Sequence, residues 1–213
     1  MAEYTLYCFA QSGNAYKAAL TLALGRADWA PRFVDFFNGE TRTPAYRSSV
    51  NEMGEVPVLE HRGRLLSQSG VILEYLSGAL RRFGAKDDDE RREILRWILW
   101  DNHKLTSYIA TLRFLVHFQK TGETAVTEFL RGRVKTSLAI LEKHLGDAPS
   151  AVGGRLTIAD LSMCGYLFSP EEFGVDWAEY PGIARWLERI RSEPGWVHPY
   201  ELMPGHPLPA APA

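Results

Sequence analysis

Along the first third of the chain the apolar positions change period several times. Residues 4–9 (YTLYCF) alternate as a strand does, and residues 14–24 (NAYKAALTLAL) repeat at three and four as a helix does. Residues 32–37 (RFVDFF) return to strand spacing, followed by VPVLE (56–60), RLL (64–66) and a helical SGVILEYL (69–76). The strand–helix–strand opening favours a parallel crossover, and the short HRGR link at 61–64 favours an antiparallel hairpin. The order βαβ-ββα predicts a small mixed four-stranded sheet with helices on its faces.

Beyond Phe83 the pattern changes. The run GAKDDDE supplies a glycine and a block of acid, and everything after it reads as helix with no credible strand. A first domain over 1–83, an all-helical domain over 88–200 and a proline-rich tail over 201–213 follow from this. Asp87 to Asp89 suit the cap and first turn of a long helix, where carboxylates complement unpaired backbone N–H groups. Ile94, Ile98, Leu105, Ile109 and Leu112 make its inward stripe. A second helix is expected over 126–144, stopped by Gly146 and Pro149. Thr157 and Asp160 have the spacing of a helix-start capping pair, which serves folding rather than chemistry. A last helix over 182–191 carries Ile183, Trp186, Leu187 and Ile190 on one face, and the prolines of PGHPLPAAPA suit an extended, loosely held end.

Composition narrows the function classes. The 24 Lys and Arg nearly balance the 26 Asp and Glu of the 213 residues, so no basic excess argues for a nucleic-acid or anionic-membrane partner. With 46% hydrophobic residues a sizeable core is available, and no apolar run is long enough to span a bilayer. Cys8 and Cys164 lie in unrelated contexts without metal-ligand spacing, which points away from a disulfide framework or metal site and toward a reducing cytoplasm.

Candidate chemistry gathers at three loops. Pro57 cannot donate to a sheet ladder and belongs at a strand entrance, with Val56–Pro57 a candidate for the cis isomer. That arrangement leaves the Val56 N–H and C=O for an extended peptide to pair with. Ser69 opens the helix after the hairpin, so its hydroxyl and the first free N–H groups suit a carboxylate. Ser12, Gly13 and Asn14 put a hydroxyl and an amide at the positive end of the first helix. Taken singly, VPV also suits an ordinary edge strand, Ser69 a plain cap and SGN a turn; their order and spacing separate the readings.

These residues, together with SGNAYKAALTLAL, NEMGEVPVLE, LLSQSGVILEYL and LTIADLSM, resemble the cytosolic glutathione S-transferase superfamily over nearly the whole chain. The SGN loop is most similar to bacterial members near the nu, beta and zeta classes. The resemblance implies a thioredoxin-like N-terminal domain binding glutathione as co-substrate, an all-α C-terminal domain forming a site for a small hydrophobic substrate, a homodimer, and no metal. It implies Val56, before Pro57, pairing with the cysteinyl backbone, Ser69 on the γ-glutamyl carboxylate, and Ser12 near the sulfur with Asn14 assisting or substituting. Two departures stand out: Gln68 replaces a common acid, so that either binding is weaker or a carboxylate such as Asp101 of the partner subunit compensates, and Glu55 replaces a common Gln or Lys.

For the second substrate, Trp100, His103, Lys104, Ser107, Tyr108 and Thr111 share three-to-four spacing on the long helix. They either overlook the sulfur or, for Trp100 and Tyr108, pack against neighbouring helices while His103 and Lys104 stay solvated. Arg113 either polarises an electrophile or pairs with an acid. The chemistry expected is thiolate attack on hydrophobic electrophiles, peroxides or disulfides. Without a cysteine in AQSGN, disulfide exchange would need bound glutathione to supply the attacking sulfur. A non-catalytic adaptor that keeps the fold is the alternative, and a zeta-type isomerisation is disfavoured because the loop lacks that class's S-S-C run.

Overall fold

The first strand, β1 (Tyr4–Cys8), pairs in parallel with β2 (Trp29–Phe33) and antiparallel with β3 (Val58–His61). The hairpin partner β4 (Arg64–Ser67) completes the order β2-β1-β3-β4. The structure, a computed structural model, describes residues 2–207. Helix α1 (Gly13–Leu24) makes the crossover and α3 (Ser69–Leu80) follows the hairpin, so the mixed sheet expected from periodicity is present. Side chains alternate along β1 as a pleat requires. Leu6 and Cys8 join Leu59, Ala19 and Leu73 beneath α1 and α3, while Tyr7 packs with Val34, Tyr46 and Val58 on the other face.

Two segments differ from the sequence reading. β2 begins at Trp29 rather than Arg32, and contains Pro31, which the sheet tolerates because β2 is an edge. The aromatic residues of the expected strand leave the sheet instead: Phe36 and Phe37 stack around Phe9 in a loop. A short helix α2 (Pro44–Ser49), capped by the Thr43 hydroxyl, covers the second sheet face through Tyr46.

The remaining elements are helical. α4 (Asp88–Trp100) is capped by Asp87, as expected, and runs through a π-helical turn at Asp101–Leu105 into α5 (Thr106–Arg113) and a second π turn at Phe114–Phe118. Then come α6 (Ala125–Leu145), α7 (Ile158–Met163), α8 (Pro181–Arg191) and α9 (Pro199–Leu202). The Thr157 and Asp160 capping box is formed, and the buried Asp160 also accepts from Ala151 N at 2.7 Å and Trp186 Nε1 at 2.9 Å. One carboxylate thus joins α7, the preceding loop and α8.

A single apolar core runs from the sheet through α1 into the helical domain. At its centre lies a fully buried ion pair, Lys17 Nζ on α1 to Asp101 Oδ2 at 2.7 Å. Thr106 Oγ1 accepts from Lys17 at 2.9 Å and donates to Asp101 Oδ1 at 2.8 Å; Ser162 donates to Oδ2 at 2.6 Å. Removing one member of a buried pair strands the other charge, at about 3–5 kcal/mol. Lys17→Met should therefore lower the unfolding free energy by about that amount in a denaturant titration; a change under about 1 kcal/mol would show that the pair carries little of the domain junction.

Candidate functional site

A cleft of about 520 Å³ opens between the sheet's loop edge and the α4–α5 helix. Its floor is the start of α1. Ser12 is the N-cap, only 6% exposed, and its oxygen accepts from Ala15 N at 3.1 Å, which leaves its own proton free to donate. Beside it, the Val56–Pro57 bond is cis, and neither the N–H nor the C=O of Val56 has a hydrogen-bond partner among the described residues. A narrower recess adjoins the cleft at the start of α3, lined by Asn14, Val56, Pro57, Gln68, Ser69 and Asn102. There the Ser69 hydroxyl reaches Asn14 Oδ1 at 3.4 Å and Asn102 Oδ1 at 3.3 Å. The structure thus brings Ser12, Asn14, Val56, Pro57 and Ser69 to one connected cavity, with Asn14 turned toward Ser69.

Gln68 holds a positive φ of 69° at the mouth of this recess, and its Nε2 donates to Glu55 Oε2 at 3.0 Å. A carboxylate, Glu55, therefore stands beside position 68 and is held by the Gln68 side-chain amide. Asp101, expected to act across a dimer, cannot leave its own chain: it is wholly buried against Lys17, Thr106 and Ser162.

The opposite wall is apolar and largely aromatic. Phe9, Phe36 and Phe37 come from the sheet domain, Phe114 and Phe118 from the end of the long helix. Along that helix Asn102, Thr106, Ala110, Phe114 and Phe118 all line the cleft at a strict spacing of four. On an ideal α-helix such a spacing drifts about 40° per step. The two π turns widen the winding and keep these residues on one wall, as π-bulges at functional sites do. For that reason only Ser107, Thr111 and Arg113 of the expected second-substrate residues face the cleft. Trp100 packs edge-on against Trp97, Lys104 lies 6.0 Å from the Tyr108 ring, and His103 is exposed; all four lie outside the lining.

Arg113 is fully engaged. It donates to the Gln11 carbonyl at 2.6 Å and Tyr200 Oη at 2.7 Å, and pairs with the buried Glu172. Of the two alternatives read from sequence, pairing with an acid holds, and the guanidinium also fixes the loop before Ser12. Residues 204–207 fasten the same loop, contrary to the loosely held end expected. Pro204 O accepts from Ala10 N at 2.8 Å, and His206 exchanges two backbone bonds with the Gln11 amide, at 2.7 and 3.1 Å. Gly205 is needed there, since a Cβ would sit 2.6 Å from Ala10 Cβ. The rest of the expected tail, 208–213, lies outside the described residues.

Sequence reasoning missed Asn102, the aromatic wall and Tyr166, which joins the lining from the turn after α7. Both cysteines are buried; desolvation pushes the Cys8 thiol up to about 12 and raises Cys164 as well, so neither is a thiolate near neutrality. Among the described residues no cluster of His, Cys, Asp or Glu is arranged to hold a metal ion, and no helix is long and apolar enough to cross a membrane.

A thioredoxin-like sheet domain joined to a mostly helical domain, with hydroxyl-bearing helix starts in the cleft between, defines a two-domain architecture of glutathione-transferase type. Residues 2–78 match the glutathione S-transferase N-terminal domain and residues 105–194 its C-terminal domain, and the chain belongs to that family. Maleylacetoacetate isomerase of Pseudomonas aeruginosa is 30% identical over 91% of this chain and 95% of its own length. The disulfide-bond oxidoreductase YfcG of Escherichia coli is 27% identical, covering 87% of this chain and 89% of that one. The solved glutathione S-transferase of Pseudomonas fluorescens superposes with a TM-score of 0.87 at 32% identity, over 93% of this chain and all of the other.

Because each of the three guanidinium nitrogens of Arg113 serves a different partner, lysine cannot replace it. Arg113→Lys should lower stability by about 3–5 kcal/mol, since a lysine cannot meet Glu172, Gln11 O and Tyr200 together and leaves the buried carboxylate poorly paired. Thermal unfolding checks this, and a melting temperature equal to that of the parent would mean that the Gln11 loop is held by the 204–207 segment alone.

Proposed function

We propose that the cleft binds glutathione, holds its sulfur as the thiolate and directs it at a small hydrophobic electrophile, peroxide or disulfide. The observation that carries this reading is the unpaired Val56 backbone lying between two serine-bearing helix starts, Ser12 and Ser69, in one cavity with an aromatic far wall. An extended tripeptide supplies what each part lacks: a backbone amide and carbonyl for Val56, a carboxylate for Ser69, and a sulfur for the end of α1.

The energetics fit. A free thiol of pKa about 8.5 is mostly protonated at neutral pH, and lowering it by about two units takes about 2.7 kcal/mol. A hydroxyl donated to a charged acceptor contributes about 1.5–3 kcal/mol, and a helix N-terminus about 0.3–1 kcal/mol. The Ser12 proton and the start of α1 together reach that range. With Cys8 and Cys164 both buried, disulfide chemistry in this cleft would draw its sulfur from glutathione. A reducing, cytoplasmic setting fits those thiols.

A homodimer completes this reading. Val71 on α3 and Leu95 and Leu99 on α4 are 53%, 52% and 61% exposed, and together border a groove of about 380 Å³ beside Gln68 and Asn102. A second copy would cover this stripe. Glu74 and Arg91 on its rim lie 3.4 Å apart.

Calorimetry should register glutathione binding, and Ser12→Ala should keep that binding while turnover of an aryl halide falls by about 10- to 100-fold. Unchanged turnover would remove Ser12 from the chemistry, and absent binding would sink the assignment. Sedimentation should give a dimer that Leu99→Glu converts to monomer; a monomeric parent would refute the dimer.

A further inference from the structure

Tyr166 reaches the same point as Ser12 from the other domain. It ends the short turn Cys164–Tyr166 that prolongs α7, and its side chain lines the cleft with Ser12, Asn14 and Arg113. Its ring lies flat on the first residue of α1: a Cβ at Gly13 would fall 2.4 Å from Tyr166 Cδ2. The Arg113 guanidinium carbon stands 5.7 Å from the ring's centroid. The ring is therefore in contact with the start of α1 and near Arg113.

The start of α1 surrounds the phenol with donors. The Ser12 hydroxyl and the backbone N–H groups of Gly13 and Asn14 lie near enough to favour the phenolate, although burial raises the pKa of Tyr166 overall. Those two N–H groups have no hydrogen-bond partner among the described residues, since Ser12 takes only Ala15 N with its side chain and Tyr16 N with its carbonyl. The phenol oxygen itself makes no hydrogen bond to another described residue, and its single proton, like that of Ser12, is free to give away. No acceptor among the described residues takes that proton, and the phenol oxygen is not among the sealed, unpartnered polar atoms of the interior, which are Trp177 Nε1 and Trp196 Nε1. Tyr166 lines both the cleft and a narrow recess beside it bounded by Ala10, Gly13 and Tyr200.

We propose that Tyr166 is a second donor to the substrate sulfur: the helical domain's phenol and the sheet domain's Ser12 hydroxyl hold one thiolate between them. The inference rests on the glutathione reading above. It assigns a catalytic group to the C-terminal domain on the sulfur side of the cleft, separate from the aromatic wall that receives the electrophile. The phenol keeps its proton throughout; it donates a hydrogen bond and is not a base. Arg113, through its place over the ring, acts as a positioning residue for both the phenol and the Gln11 loop.

The test is Tyr166→Phe, which keeps the ring on Gly13 and so keeps the packing. The bound thiol is titrated by the ultraviolet absorbance of its thiolate, and kcat/KM with an aryl halide is followed against pH, for the parent, Tyr166→Phe, Ser12→Ala and the double variant. Losing one charge-assisted bond should raise the apparent pKa of the bound thiol by about one unit, which is about tenfold less thiolate at pH well below it. kcat should fall about tenfold there and recover at alkaline pH, with KM for glutathione changing less than about twofold. Ser12→Ala should retain part of the acidification and the double variant should lose it. A Tyr166→Phe profile that overlies the parent's, with or without a lower melting temperature, would overturn the proposal, because a group that only caps α1 would move stability and not the titration. Failure of the parent itself to bind glutathione would be seen separately in calorimetry, and would overturn the reading of the cleft together with this one.

Discussion

The geometry of the cleft depends on how α1 is held against the helical domain, and the buried Lys17–Asp101 pair does the holding. Taking two ions out of water costs several kcal/mol each, so such a pair is favourable only when its remaining hydrogen-bonding capacity is met. Here Thr106 sits between the two as acceptor and donor, and Ser162 supplies a further donor, so each partner is matched from a different element. Hydrophobic contact alone would bring α1 near α4 and α7, but it is non-directional. The ion pair sets azimuth and height. Lys17 lies just over one turn beyond Ser12, so the position of the α1 start relative to Asn102 and Thr106 follows from that bond.

A second anchor works from the other end of the cleft. The loop between β1 and α1 carries no regular structure, yet Arg113 grips its Gln11 carbonyl and residues 204–207 bond to Ala10 and Gln11 from outside. Loops that present reacting groups are useful only when their entropy is already spent, because freedom lost on binding subtracts from affinity. In this protein the loop before Ser12 is fixed by a buried guanidinium and by the end of the chain. Phe37 adds to the same clamp by stacking on His206 at 4.4 Å, which connects the fastening segment to the aromatic wall.

What was legible in the sequence was local. The two-residue alternation of β1, the turn signal at HRGR, the Thr157–Asp160 cap and the proline after Val56 are each decided by neighbours in the chain, and each is present. The three loop elements, Ser12, Val56 and Ser69, were also readable as backbone positions, and they meet in one cavity. The facing of the long helix was not. A single winding error of one residue turns a helix by about 100°, and the π turn at Asp101–Leu105 contains His103 and Lys104 and precedes Tyr108, so these three lie outside the cleft while Ala110 and Phe114 line it. RFVDFF misled for the opposite reason: aromatic residues that look like strand interior were committed to the cleft, and the edge strand was left to the proline-bearing WAPRF. The grip on the Gln11 loop was invisible because Arg113, Glu172 and Tyr200 are distant in sequence and meet only through packing.

Gly13 shows how far a motif can be misread when only its own loop is considered. Between Ser12 and Asn14 a glycine reads as turn chemistry, useful for a left-handed backbone. Gly13 does not occupy that region; it is the first residue of a regular helix and is absent from the positive-φ glycines. What it provides is the missing side chain, into whose space the Tyr166 ring descends. The small residue in the sheet domain and the aromatic residue in the helical domain are therefore two halves of one contact, separated by more than a hundred and fifty positions. Any side chain at 13 would push the ring off the helix start and with it the phenol from the vicinity of Ser12. The identity of residue 13 is then set by the neighbour it must admit rather than by the turn it stands in.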